Sequence, residues 1–295
     1  MQGFISRIQH YSTKDGPGIR STVFMVGCNL HCAWCSNPEL ISHQSSLLYY
    51  RERCHKCGSC ALLYPQAIAV KSDGCQIDRS KIADFDALVE VCPYDCYEKI
   101  GYWIDSDELL SRLLKDKEFY DNSDGGVTFS GGEAALQSDF VLECTNKLHE
   151  HGVKVALDTA GNIPFKKIKP LIEAVDLVLY DIKHSDSKIH EAYTGVSNEL
   201  ILNNLKEINK MGKDVFIRMV TIPGLEDLKE RIDLIKDYRC IRQIDILPYH
   251  IMGVGKYERL GLSYTLNDLP PVNDELIEQA VKYGEQCGLK MTVGG

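Results

Sequence analysis

Gly27-Cys28-Asn29-Leu30-His31-Cys32-Ala33-Trp34-Cys35 decides the fold of this 295-residue chain. It directly follows Thr22-Val23-Phe24-Met25-Val26, a β-branched and apolar run that predicts a strand. Three thiols therefore sit on the loop at a strand's C-terminal end. Their C-x3-C-x2-C spacing cannot close a tetrahedral structural zinc site, and it leaves one iron of a four-iron cubane without a protein ligand. An open coordination position is a reactive arrangement. Zinc completed by His31, or three unrelated thiols, are the alternatives that the loop alone leaves open.

Outward from this loop, strand-like and helix-period segments alternate. Residues 126–130, 154–158, 177–181, 215–220 and 244–247 predict strands. Helical periodicity covers 106–117 with Ser106 as N-cap, 138–151, 198–211, 225–238 and 273–287, with Gly212 and Gly288 as stop signals. Repeated βα units imply an α/β fold with a parallel sheet and chemistry at its C-terminal edge. Counting the strand before Cys28 gives six, fewer than the eight of a closed barrel.

Composition narrows the function classes. With 33 Lys plus Arg against 42 Asp plus Glu, the net charge is −9, so there is no basic surplus for nucleic acid. No apolar run approaches the ~20 residues that span a bilayer, so no membrane partner is expected. Met1-Gln2-Gly3-Phe4 lacks the basic and apolar parts of a signal peptide, and a cytoplasmic location is expected. Twelve cysteines in a chain long enough to bury a core point to metal rather than disulfides. Nine of them fall between Cys28 and Cys96, while Cys144, Cys240 and Cys287 are isolated and read as buried small hydrophobes.

Residues 43–104 break the alternation and read as an insert between the two parts of the larger unit, 1–42 and 105–295. Cys54, Cys57 and Cys60 form a ferredoxin-type C-x2-C-x2-C run whose expected fourth cysteine is replaced by Tyr64 before Pro65. Cys92-Pro93 has the ending of a second run. Counting back from it, the missing positions are Ile82, Phe85 and Leu88. Because the fourth cysteine of each run ligates the other cluster, Cys54, Cys57, Cys60 and Cys92 form a complete set and the second set is absent. Cys96 or Cys75 could replace Cys92.

With Asp15-Gly16-Pro17-Gly18-Ile19-Arg20, the stretch from Cys28 to Glu39, Gly125-Gly126-Val127-Thr128-Phe129-Ser130-Gly131-Gly132-Glu133, Leu157-Asp158-Thr159, Asp181-Ile182-Lys183, Ile217-Arg218 and Leu247-Pro248-Tyr249-His250, the chain resembles the radical S-adenosylmethionine superfamily. Within it, the resemblance is to glycyl-radical-enzyme activating enzymes of the pyruvate formate-lyase activase type. It covers nearly the whole chain, with one departure at Ala134, where the family usually has Pro.

The resemblance implies a partial (β/α)6 barrel of the radical SAM type carrying a small ferredoxin-like iron-sulfur insert. Cys28, Cys32 and Cys35 would hold a 4Fe-4S cluster that binds S-adenosylmethionine and cleaves it reductively to a 5′-deoxyadenosyl radical. That radical takes a glycine Cα hydrogen from a partner enzyme, and no side chain acts as acid or base. Gly131, Gly132 and Glu133 would meet the methionine amino group. Lys183 and Arg218 would meet its carboxylate, unless they pair with the aspartates instead. Trp34 would lie near the cluster and adenine, and His250 near the adenosyl part. Asp158, Thr159 and Asp181 offer hard oxygens, and the resemblance suggests a monovalent cation there. The turn at Asp15 to Arg20 would help order the partner's peptide.

One auxiliary 4Fe-4S cluster is expected where the family commonly carries two. The expected partners are a glycyl radical enzyme and a flavodoxin or ferredoxin donor, with the chain acting as a monomer. Two competing readings are a radical enzyme acting on a small molecule or peptide, and a non-catalytic iron-sulfur electron-transfer protein. The latter leaves the Gly-Gly-Glu turn and the strand-end charges unexplained.

Overall fold

The computed structural model describes residues 1–266 and 269–294. A hairpin of β1 (Gln2–Ser12) and β2 (Arg20–Met25) leads into the cysteine loop. The next stretch carries β3 (Ser46–Tyr49), α1 (Ser59–Leu63), β4 (Ile68–Lys71), β5 (Gly74–Ile77), α2 (Phe85–Val91) and β6 (Tyr97–Ile100). The chain then makes β7 (Tyr102–Asp105), α3 (Ser106–Leu113) and α4 (Lys117–Ser123). The βα alternation follows: β8 (Gly126–Gly131), α5 (Ser138–Glu150), β9 (Lys154–Thr159), α6 (Phe165–Ala174), β10 (Leu177–Asp181), α7 (Ser187–Thr194), α8 (Glu199–Met211), β11 (Val215–Thr221), α9 (Leu228–Ile235) and β12 (Ile241–Pro248). It closes with α10 (Val254–Leu260), α11 (Asp274–Gln286) and β13 (Met291–Val293).

Nine strands form one sheet in the order β13-β12-β11-β10-β9-β8-β2-β1-β7. The six anticipated strands, β2 and β8 to β12, are parallel neighbours, and the short β13 extends them by one. The order does not return to its start among the described residues, so the α/β architecture is an open, partial barrel.

Strand alternation sorts the side chains. On β10, Val178 and Tyr180 join the main core against the helices, whereas Leu177 and Leu179 pack with Ala156 and Phe216 on the other face. Asp158, Asp181 and Arg218 continue that inner face at the C-terminal ends of β9, β10 and β11.

Local chemistry shifts one expected cap. The N-cap of α3 is Asp105, which accepts from the Asp107 amide at 2.9 Å, while Ser106 is the first helical residue and donates to Glu143. The segment between β3 and β6 has its own core around Leu47, Ile68, Leu88 and Tyr97. The chain rejoins the main sheet at Tyr102, because β7 pairs with β1. Phe4, Phe24, Leu40, Leu48, Ile100 and Leu260 form an apolar bridge among the hairpin, this segment and α10. No helix among the described residues is long and apolar enough to cross a membrane.

Candidate active site

Three distant segments hold the cysteine loop. From α7, the carbonyls of Thr194 and Tyr193 accept from the amides of His31 at 2.7 Å and Ala33 at 2.9 Å. From α10, the Tyr257 hydroxyl donates to the Cys35 carbonyl at 3.1 Å. From the turn after β8, the Glu133 amide donates to the Gly27 carbonyl at 2.8 Å. Trp34 is buried, with its ring 6.3 Å from that of Tyr193, and packs the loop against α7.

Burial pushes the thiols of Cys28 and Cys32 up to about 12 and that of Cys35 to about 11. The Lys183 ammonium favours each thiolate but does not offset burial. At neutral pH the thiols keep their protons until a metal replaces them, as metal binding requires. Among the described residues no three His, Cys, Asp or Glu converge on a single ion. Each thiolate of a cubane binds its own iron, so the three need not converge. This donor set fits an iron-sulfur cluster.

The Gly-Gly-Glu turn lies tight against the loop. Gly131 has φ +111°, and a Cβ on Gly132 would be built into the Gly27 carbonyl, so glycine is required at both. Glu133 is fully buried: it accepts from Thr159 Oγ1 at 2.6 Å, the Ala135 amide at 3.1 Å and the Ala160 amide at 2.9 Å. Burial raises its carboxyl to about 7 against those hydrogen bonds. Glu133 thus braces the end of β8 against the end of β9.

That brace corrects the expected oxygen triad. Asp158 and Thr159 are neighbours on one strand and point to opposite faces. The Thr159 hydroxyl is engaged with Glu133 and with the Gly161 amide, so its side chain does not join Asp158 and Asp181.

The inner face gathers two acid–base pairs. Asp158 accepts from Ser130 at 2.6 Å and from Arg218 Nη1 at 3.0 Å, and Lys183 Nζ lies 2.8 Å from Asp181. Both cations are therefore paired with aspartates, the alternative that the sequence left open. Burial raises the Asp158 carboxyl despite Arg218. Burial works against charge on Lys183 and Arg218, yet Asp181 and Asp158 hold both above their usual ranges. Asp158 Oδ1 is buried without a hydrogen-bond partner, an acceptor left over after the pairs are made.

The turn from Asp15 to Arg20 lies at the N-terminal end of β2. Asp15 accepts from Ser12 at 2.6 Å and Thr22 at 2.7 Å, and Arg20 donates to Thr128 and to the Val127 carbonyl, each at 2.6 Å. These bonds make a closed polar floor beneath the inner face. His250 is exposed just after β12, beside exposed Ile251 and Met252.

A second cysteine group lies in the inserted segment. Cys54, Cys57, Cys60, Cys75, Cys92 and Cys96 line one cavity with His55, Tyr94 and Tyr97. Cys75 Sγ is 3.9 Å from that of Cys54 and 3.7 Å from that of Cys60. Ile82 and Leu88 are in the segment's core, with Tyr64 and Phe85 packed against it. Cys144 and Cys240 are buried and Cys287 is half-buried, all distant in sequence from both groups.

Residues 22–238 match the family model for the radical SAM superfamily. The chain belongs to the radical SAM superfamily. It is 34% identical over 304 residues to the trans-4-hydroxy-L-proline dehydratase activating enzyme of Clostridioides difficile, covering 100% of both chains. It is 35% identical over 289 residues to the choline trimethylamine-lyase activating enzyme of Oleidesulfovibrio alaskensis, covering 94% of this chain and 93% of that one. These relatives place it among the glycyl-radical-enzyme activating enzymes. A radical SAM methyltransferase structure from Sphaerobacter thermophilus shares the fold, with TM-score 0.54 and 12% identity over 93% of this chain and 66% of that one.

The sequence assigned no role to Ser130, Glu39 or Lys256 at this site. Ser130 shares the inner face with Asp158, and only the pairing of β8 with β9 reveals it. Glu39 and Lys256 form a 2.7 Å pair behind the cysteine loop, which only the tertiary fold brings together.

Proposed function

We propose that Cys28, Cys32 and Cys35 hold a 4Fe-4S cluster with S-adenosylmethionine on its open iron, and that the chain activates a glycyl radical enzyme. When bound, that pair supplies a 5′-deoxyadenosyl radical able to take a hydrogen atom from a glycine Cα. The observation that carries the reading is the half-buried three-thiol loop clamped to the Gly-Gly-Glu turn at the C-terminal end of an open parallel sheet. Similarity across the full chain to proteins named as activating enzymes supports it.

The chain's own residues bind and orient. Arg218 and Lys183 share their charge between the aspartates and the methionine carboxylate. Glu133 ionises as an ammonium approaches, because a nearby cation offsets the burial that keeps its carboxyl near 7. The spare Oδ1 of Asp158, with Asp181, takes a monovalent cation. Trp34 and His250 flank the adenosine, and the open barrel admits the partner's glycine-bearing loop.

Residues 43–104 act as an iron-sulfur module with one auxiliary 4Fe-4S cluster on Cys54, Cys57, Cys60 and one of Cys92, Cys96 or Cys75. Cys92 is favoured by ferredoxin spacing. The apolar fill at Tyr64, Ile82, Phe85 and Leu88 supports one cluster rather than two. A flavodoxin or ferredoxin supplies the electron, and the chain works as a cytoplasmic monomer.

The test is anaerobic reconstitution with iron and sulfide, then reductant and S-adenosylmethionine. Formation of 5′-deoxyadenosine and a glycyl radical signal in a co-encoded partner are expected. Absence of the nucleoside would remove the radical reading. Nucleoside without radical transfer to any glycyl radical enzyme would remove the activase reading.

A further inference from the structure

Tyr49 and Tyr97 are direct partners across the β3–β6 ladder, and their rings stack with centroids 5.3 Å apart and planes 29° apart. Both are buried; Tyr97 lines the six-cysteine cavity, and the Tyr49 hydroxyl meets the backbone of Cys75 beside it. The Tyr49 oxygen accepts the Cys75 amide at 2.8 Å, which leaves its proton for the Cys54 thiol. Tyr97 is only 4% exposed and lines the cavity, yet its hydroxyl has no hydrogen-bond partner. Burial raises the Tyr97 hydroxyl above its usual range, and the neighbouring Cys60 and Cys75 thiols raise it further.

A buried hydroxyl without an acceptor is costly to keep. Phenylalanine would fill the same space in the stack without that cost. The missing acceptor therefore points outside the polypeptide. A thiolate-ligated cluster carries negative charge into apolar surroundings, and donors to its sulfurs lower the cost of that charge. We propose that Tyr97, together with Tyr49, donates a hydrogen bond to a ligand sulfur of the auxiliary iron-sulfur cluster and so sets its reduction potential. This rests on the reading of the cavity as the site of that cluster.

The sign follows from electrostatics. A donor favours the more negative, reduced state, so removing it lowers the potential. The test uses the full-length reconstituted chain and its Tyr97→Phe variant, each also with Cys28, Cys32 and Cys35 replaced by alanine so that only the auxiliary signal remains. Iron content and a potentiometric titration followed by electron paramagnetic resonance are the readouts.

Tyr97→Phe is expected to keep its iron and to shift the midpoint negative. A tenfold loss of reduced-state stabilisation corresponds to ~59 mV for a one-electron couple. Tyr49→Phe, which also keeps the stack, is expected to shift it in the same direction. An unchanged midpoint in both variants, or loss of the cluster iron from a folded Tyr97→Phe chain, would overturn the proposal. If the parent chain with the first three cysteines replaced holds no iron at all, the auxiliary-cluster reading fails and the proposal fails with it.

Discussion

Lys256 Nζ lies 2.7 Å from Glu39 Oε1, joining α10 to the segment behind the cysteine loop across 217 positions of sequence. Glu39 is buried, and its second oxygen has no partner. The ion pair thus ties α10 to the segment that follows the cysteine loop.

Lys256→Met leaves the Glu39 carboxylate in place with Arg7, 3.6 Å away, as its one remaining ion-pair partner among the described residues. Breaking a wholly buried pair costs more, but Lys256 is partly solvated, so a loss of about 2 kcal/mol is expected. Urea unfolding of the ligand-free chain measures it. Release of cluster iron to a chelator should be faster than in the parent, and an equally stable, equally retentive variant would count against the latch.

Glu133 makes the ligand-free fold less stable as pH rises. Its folded carboxyl titrates at about 7, against ~4.3 for an unfolded glutamate. The folded chain holds the proton more tightly, so this contribution is complete below the unfolded value and is lost as pH climbs through the folded one. The change is roughly 3 kcal/mol in unfolding free energy between pH 4 and 8. Glu133→Gln should flatten that slope while lowering the whole curve, because the Ala160 amide then faces a donor. Denaturant titrations at several pH values decide, and an unchanged slope in the variant would falsify the assignment.

Cys57 is exposed, and its thiol is shifted below the usual range by bonds to Ser59. The thiols of Cys28, Cys32 and Cys35 are shifted up by burial. Thiolate is the nucleophile. Brief iodoacetamide treatment of the metal-free chain at neutral pH should therefore label Cys57 well before the loop cysteines. Peptide mass mapping reads the order, and loop-first labelling would contradict the opposite shifts of the two sets of thiols.

Gly132→Ala should separate folding from cofactor binding. A Cβ there displaces the Gly27 carbonyl, at a strain of ~1–3 kcal/mol typical of overpacking. The chain should still fold, with retained far-ultraviolet dichroism but weakened iron and S-adenosylmethionine binding at the loop. Parent-like binding of both would show that the turn need not sit so close.

The inner strands and the cysteine loop were legible because burial on both faces of a parallel strand writes a short apolar run, and because thiol spacing is local. The edges were not. In β1, polar Arg7 and Gln9 interrupt the alternation where register shifts bend the strand. In α6, Pro170 sits inside a lysine-rich helix and masks its period. Asp158 and Thr159 looked like joint ligands because adjacency in sequence suggested adjacency in space, whereas a strand sends neighbours apart. Cys75 and Cys96 were legible as alternatives to Cys92, but that all three line one cavity with the ferredoxin run emerges solely from the tertiary fold, which brings β5 and the chain before β6 to it.

The loop's supports come from Glu133, from Tyr193 and Thr194, and from Tyr257, all made long after the cysteines themselves. A ribosome that has issued 60 residues has already produced every thiol of the loop and, of its supports, only the Leu40 and Ile41 carbonyls. The ligands are early and the site is late. Stable iron binding at the loop is therefore expected only of the finished chain, and a chain cut after residue 250 keeps all three cysteines but should fail to hold iron on them.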